Sequence, residues 1–250
     1  MYLTRFRVNV ARSGARYVLS SPQRLHAAVL AGFPGLPADP AARPRVLWRL
    51  DHGDRADVRL YVVSPDRPDL THLVEQAGWP TLAEPDAPGW ESRPYRPFLG
   101  RLAKGDRWSF RLTANPVHSI RRKDGEPTKR TAHVTPRHQL GWLLEQRARH
   151  GFDLLTGIAP DAEEPLHRYA VTVHGRRDLS FRKQTDEPPP RTATGNTNRR
   201  GAPVTLVTTV FSGRLEVTDP DALRNALTHG IGRGKAYGCG LLTLAPEGTG

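Results

Sequence analysis

The chain has 250 residues, enough to bury a core as one large domain or two small ones, and 37 Lys and Arg against 25 Asp and Glu give it a formal charge of +12. Its single cysteine, Cys239, excludes a disulfide framework and a thiolate zinc cluster. The ten histidines lack the helical spacings of a metal site, and no apolar run is long enough to span a membrane. The cation excess points to a polyanionic partner, nucleic acid first, although a basic, arginine-rich proteome would give the same balance.

The opening stretch alternates Phe6, Val8 and Val10 against Arg5, Arg7 and Asn9, the pattern of a half-buried strand rather than a signal peptide, which places the protein in the cytoplasm. A turn is expected over 11–16. Ser20 or Ser21 then caps a helix with Pro22 at its first position, stopped by Gly32. Strands are expected over 45–50 and 58–64, joined by a polar turn, and a short helix over 69–78 with Asp69 as its cap. The proline-rich stretch 79–100 leaves room for a closing strand and a linker.

The pattern then starts again. Residues 107–114 alternate Trp108, Phe110, Leu112 and Ala114 against Arg107, Ser109, Arg111 and Thr113. "TPRHQLGWLL" (135–144) echoes "SPQRLHAAVL" (21–30): a hydroxyl cap, a proline, then an amphipathic run. Strands near 152–157, 167–174 and 203–217 follow, then a helix capped by Asp219 and a last strand over 241–244. Strand, helix, strand, strand, helix, strand, read twice, gives an α+β chain of two tandem ferredoxin-like, RRM-related units: 1–90, a linker over 91–104, and 105–250.

Two basic insertions interrupt the second half. Residues 118–137 hold six Lys and Arg against two acids, and 175–200 hold seven against three. They read either as solvated loops or as arms around a phosphate backbone, which would engage Arg121, Arg122, Lys123, Lys129 and Arg130 in the first and Arg176, Arg177, Arg182 and Lys183 in the second. Pro, Gly and Asn in the second predict a mobile segment. His26 lies about 100° round the first helix from the apolar stripe Leu25, Ala28, Val29 and Gly32. With Arg12, Arg16 and Arg24, themselves candidate nucleic-acid contacts, near in sequence, its charged form is disfavoured, and it is either a surface residue or a general acid or base.

"GIGRGKAYGCG" (230–240) is neither a phosphate loop nor a dinucleotide fingerprint. His229 and Ala236 break the first spacing; Lys235 and Tyr237 stand where the second needs glycine. It reads as a backbone that approaches the phosphates of a polyanion, with Arg233, Lys235 and Tyr237 beside it, or as a turn that only packs.

"MYLTRFRVN", "SPQRLHAAVL", "VLWRL" (46–50), "SFRLTANP" (109–116) and the ending "GRLEVTDPDAL…GIGRGKAYGCGLLTLAP" occur in the order found in the CasE family, the CRISPR-repeat endoribonucleases of type I-E systems, and the chain resembles that family over almost its whole length. The resemblance implies a metal-independent, cofactor-free enzyme that binds the repeat hairpin of precursor CRISPR RNA and cuts at the 3′ base of its stem. The ribose 2′-OH would attack, leaving a 2′,3′-cyclic phosphate and a 5′-OH. It implies His26 as the catalytic residue, and a basic hairpin carrying Arg182 and Lys183 that meets the stem, at phosphates and the groove mouth because an A-form major groove is narrow. It implies a protein monomeric in isolation that joins the other Cascade subunits with its crRNA. Gln23 and Ala31 depart from a tyrosine and a lysine found in family members, leaving Arg24, Arg16 or Tyr2 to assist His26. A non-catalytic RNA-binding subunit of the wider repeat-associated superfamily is the alternative.

Overall fold

The structure is a computed structural model and describes residues 1–37, 39, 41–54, 56–82, 84, 88–120, 129–157, 159, 163–182 and 203–247. Its first half runs β1 (Tyr2–Val8), α1 (Ser13–Leu19), α2 (Pro22–Ala31), β2 (Leu47–His52), β3 (Val58–Ser64), α3 (Thr71–Ala77), β4 (Trp90–Pro94) and α4 (Arg96–Arg101). Its second half runs β5 (Arg107–Ala114), β6 (Val117–Ile120), β7 (Lys129–Ala132), α5 (Pro136–Arg147), β8 (Phe152–Leu154), α6 (Pro165–Arg168), β9 (Val171–Arg182), β10 (Pro203–Val217), α7 (Pro220–His229) and β11 (Leu242–Ala245).

The N-terminal sheet is antiparallel with strand order β2-β3-β1-β4. Alternation puts Phe6, Val8, Trp48, Leu60 and Val62 on one face, where Ala15, Val18, Leu25, Val29, Leu73 and Val74 of the three helices cover them. Leu47 and Val63, with Leu3 and Tyr61 packed beside them, belong instead to the core of the second half. The sheet is therefore buried on both faces over part of its area: Leu3, Leu47, Tyr61 and Val63 form a seam, while Arg5, Arg7 and Glu91 on the same outer face stay exposed.

The second sheet has the order β11-β5-β10-β8, and β10 is long enough to pair β8 at one end and β9 along the rest. Caps expected from the sequence hold the helices: Thr135 Oγ1 accepts from the His138 N–H, and Asp219 Oδ1 accepts from those of Asp221 and Ala222.

Several boundaries differ from the sequence expectation. The expected turn at 11–16 is the start of α1, whose Ala15 and Val18 are buried three residues apart against α2 and α3. Gly14 marks a close approach: a Cβ there would lie 2.2 Å from the Gln76 carbonyl oxygen on α3. The strand expected at 45–50 begins at Leu47 and runs to His52, because the register Leu47↔Val63 to His52↔Val58 carries pairing to the hairpin end. Asp69 sits just outside α3, where its Oδ1 accepts from the Thr71 N–H at 2.9 Å and hydroxyl at 2.6 Å.

The segment expected to hold only a strand and linker also contains α4. Both basic insertions hold strands: β6 pairs β7 within 118–137, and residues 175–182 continue β9 against β10 rather than forming a mobile loop. Cross-strand bonding overrides the turn-rich composition there. Residues 121–128 and 183–202 lie outside the described residues.

One buried cation joins the halves. Arg49 on β2 is 2% exposed; its Nε and Nη2 donate to the Asp51 carboxylate at 2.7 and 2.9 Å. Its Nη1 donates across the seam to the carbonyls of Arg111 at 2.8 Å and Leu241 at 3.0 Å. The bidentate fork suits a guanidinium and no other side chain.

Candidate active site and nucleic-acid interface

Helix α2 starts where Ser21 Oγ accepts from the Gln23 N–H at 3.3 Å, with Pro22 in the first turn. Leu25 and Val29 turn into the core, which sets the neighbouring His26 at the helix flank, half-buried. There the Trp48 indole Nε1–H donates to His26 Nδ1 at 3.1 Å. Burial lowers the His26 pKa below its ordinary value, and the Arg43 guanidinium lowers it further. The expected direction holds, but desolvation leads and the cation is Arg43 rather than the arginines adjacent in sequence.

The glycine-rich loop runs from the end of α7 to β11 and packs its Lys235–Tyr237 turn against both α2 and β2. Gly230, Gly232, Gly234, Gly238 and Gly240 all have positive φ. What approaches this backbone is protein. A Cβ on Gly238 would lie 2.6 Å from Cζ3 of Trp48, and one on Gly232 would lie 2.8 Å from Cζ2 of Trp142. Those two glycines are accounted for by aromatic rings laid against the main chain. The loop is tied shut by Ile231 N–H to Gly240 O at 2.9 Å and Gly240 N–H to Thr113 O at 2.7 Å.

Lys235 folds back so that Nζ donates to the Gly232 carbonyl at 2.6 Å. Burial lowers its pKa, and Arg45, Arg149 and Arg233 lower it further, so the loop sits in a field of cations. Arg233 is exposed. Tyr237 meets Phe181 of β9 edge-on at 4.9 Å. A cleft of about 250 Å³ opens between the halves beside this loop, lined by Pro22, Leu25, Trp48, Arg111, Arg177 and Tyr237 among others.

The other sequence-derived candidates divide. Arg12 donates to the Glu75 carbonyl and Arg16 to that of Ala11 at 2.6 Å, so both brace α1. Arg24 donates to Ser20 Oγ at 2.7 Å and lies over the Tyr17 ring, 4.1 Å from its centroid. Arg176 Nη2 donates to both carboxylate oxygens of Asp178 at 3.0 Å, whereas Arg177 reaches the N-terminal sheet at His52 Nε2, 3.1 Å away. Arg130 is exposed on β7. Lys129 and Arg182 lie in β7 and β9, and their side chains are outside the described residues. Arg121, Arg122, Lys123 and Lys183 lie outside them altogether. The structure thus gathers His26, Lys235 and Tyr237 at the junction of the halves, leaves Arg24 on α2 against α1, and sets Arg130 and Arg176 on separate hairpins of the second half.

A model of the CRISPR-associated protein family matches residues 1–246. The chain belongs to that family. Among CRISPR-associated relatives, it is 28% identical over 246 residues to the CRISPR-associated endoribonuclease Cse3 of Thermus thermophilus, covering 98% of this chain and 100% of that one. Among solved structures, it resembles the CRISPR endoribonuclease Cse3 bound to a 19-nucleotide RNA (TM-score 0.71, 29% identity, 98% of this chain and 100% of that one). It also resembles a chain of a CRISPR RNA-guided surveillance complex in its pre-nicking state (TM-score 0.61, 26% identity, 99% and 100%).

Three residues at this junction escaped sequence reasoning: Trp48, Arg43 and Arg49. The sequence marks 45–50 as a strand and a family-like motif, which says nothing of side-chain partners. Trp48 and His26 are 22 residues apart on different elements, a separation with no periodic meaning.

Proposed function

We propose that this chain is an endoribonuclease that binds the repeat hairpin of precursor CRISPR RNA and cleaves it at the 3′ base of the stem. The observation that carries this reading is His26: a half-buried imidazole of lowered pKa, held by Trp48, on the helix against which the cationic loop packs. The similarity to endoribonucleases of the same family supports it.

In the step we propose, the 2′-oxygen attacks the adjacent phosphorus and forms the 2′-O–P bond as the P–O5′ bond breaks. The products are a 2′,3′-cyclic phosphate and a 5′-OH, with no metal or other cofactor required. RNA brings its own nucleophile, so the protein supplies alignment, proton transfer and charge stabilisation. In-line geometry places the attacking and leaving oxygens on opposite sides of phosphorus, so His26 serves one of them. Arg24, Arg233 and the cations around Lys235 supply a positive field for the phosphate backbone, and the β9–β10 hairpin with Arg177 and Arg182 meets the stem.

The same proposal takes each half as a ferredoxin-like unit, supported by the strand order, with the division near residues 90 and 105 and β4 carrying the first unit to Pro94. It places the protein in the cytoplasm, monomeric until it joins the type I-E surveillance complex with its crRNA. No helix among the described residues is long and apolar enough to cross a membrane.

Incubation with the repeat RNA of the neighbouring array and end-group analysis of the product tests the reading. We expect a cyclic phosphate and a 5′-OH, undiminished in EDTA; a strict metal requirement would sink the mechanism. Tight hairpin binding without any cleavage would favour the non-catalytic subunit, a reading to which Gln23 and Ala31 lend weight.

Affinity should also fall steeply with salt, with a log–log slope of roughly −0.7 to −0.9 per phosphate neutralised. Arg233→Ala is expected to reduce that slope by about one. An unchanged slope removes Arg233 from the RNA path.

A further inference from the structure

We infer that Trp48 is a positioning residue that sets His26 to present an N–H, not a lone pair, to the RNA, and that the glycine-rich loop acts on the reaction by holding Trp48 in place. This rests on the reading of His26 as the catalytic group. An indole nitrogen can only donate, so the Nδ1 atom that faces Trp48 Nε1–H at 3.1 Å carries a lone pair. Neutral imidazole has one N–H, which must then sit on Nε2. Nε2 takes no partner among the described residues. To act as a base at Nε2, the ring would need its proton on Nδ1, pointed at the indole N–H.

The donor therefore serves the departing side. The 2′-O–P bond forms and releases the 2′-proton to water. The P–O5′ bond breaks as Nε2–H hydrogen-bonds the 5′-oxygen, which takes its proton from water.

The ring that fixes this tautomer is itself fixed. Trp48 is 3% exposed, and the Gly238 backbone lies so close to its six-membered ring that a Cβ would stand 2.6 Å from Cζ3. Gly238 has φ +80°, a conformation that also resists any side chain. The path from loop to imidazole is thus two contacts long: Gly238 on Trp48, Trp48 on His26. Charged or titratable groups on the elements about α2 are Arg43 ahead of β2, Lys235 and Tyr237 on the loop, Arg16 and Tyr17 on α1, and His72, whose Nε2 lies 2.8 Å from the Ala28 carbonyl. Of these, Arg43 is the charge that acts on His26.

The test begins with the RNA-free protein labelled at histidine, in which long-range proton–nitrogen spectra report which imidazole nitrogen carries the proton. We expect the Nε2–H form for His26, a mixture of tautomers in Trp48→Phe, and a His26 pKa raised in that variant by about half to one unit, because the neutral form loses an accepted hydrogen bond. Trp48→Phe and Gly238→Ala should slow single-turnover cleavage at saturating RNA roughly ten- to a hundredfold, with hairpin affinity unchanged.

RNA with sulfur in place of the scissile 5′-oxygen needs no donor to leave, so it should be cut by His26→Ala at nearly the wild-type rate. An Nδ1–H tautomer in the wild type overturns the inference without reference to any variant. So does a Trp48→Phe protein with unaltered tautomer, pKa and rate, or failure of the sulfur substrate to rescue His26→Ala. If the wild type binds RNA but never cleaves it, the proposed function falls, while the tautomer measurement still decides whether Trp48 sets the ring.

Discussion

His26→Ala is expected to slow cleavage of the repeat hairpin by about 10²- to 10⁴-fold while leaving its affinity within a few-fold, the range over which a single side chain acting on a reacting oxygen contributes. The separation of rate from binding follows from the site. His26 is one neutral, half-buried ring in a positive field, so its removal subtracts no charge that would hold the RNA. Its pKa lies below the ordinary histidine value, so the ring is neutral at pH 7 and charges only as the pH falls through that lowered value. Protonation puts a hydrogen on Nδ1 and breaks the bond from Trp48. Single-turnover rates and filter-binding affinities on the same preparation provide the measurement. Equal losses in rate and affinity would make His26 a binding residue instead.

Arg49→Ala is expected to lower stability by about 3–5 kcal/mol, the cost of breaking a buried ion pair from one side. The substitution leaves the Asp51 carboxylate, itself 13% exposed, with Arg111 at 3.7 Å as its only ion-pair partner among the described residues. It also strands the carbonyls of Arg111 and Leu241 and opens a void beside Tyr61, whose ring centroid lies 5.4 Å from the guanidinium. Arg49→Met refills much of the void but restores none of the hydrogen bonds, so it should recover only part of the loss. Arg49 links β2 to β5 and to the strand-entry residue Leu241, and its loss should therefore loosen the coupling between halves. The urea transition, followed by tryptophan fluorescence, should broaden or divide as well as shift to lower midpoint. An unshifted midpoint would mean that the apolar seam alone holds the halves together.

Much of the fold could be read in advance where one local rule acted alone. Arg107–Ala114 appears where alternation places it, Val58–Ser64 and Pro203–Val217 appear where strands are expected, and α2, α5 and α7 begin at the hydroxyl or aspartate caps followed by proline. The failures share a cause. The start of α1 looked like a turn because Gly14 and Ser13 are poor helix formers, and its helical state depends on packing against α2 and α3. Residues 175–182 read as loop because composition is local, whereas 177–182 pair with residues 203–208. Glycine spacing in 230–240 excluded a nucleotide loop, yet could not say that the near neighbours were the rings of Trp48 and Trp142.

The sequence by itself determined the charge that calls for a polyanion, the two rounds of strand and helix, the helix that carries His26, and, through ordered motifs along nearly the whole chain, the family. Those properties are written in residue type and short spacing, where sterics and hydrogen bonding act over a few residues. Only the tertiary structure decided which side of the His26 ring is tied, which arginine bridges the halves, and what the glycines make room for. Trp48 meets His26 across two elements, Arg49 meets Leu241 192 residues away, and Gly238 meets Trp48 across the seam. Contacts of that kind depend on how sheets and helices settle against one another, and chain spacing carries no record of them.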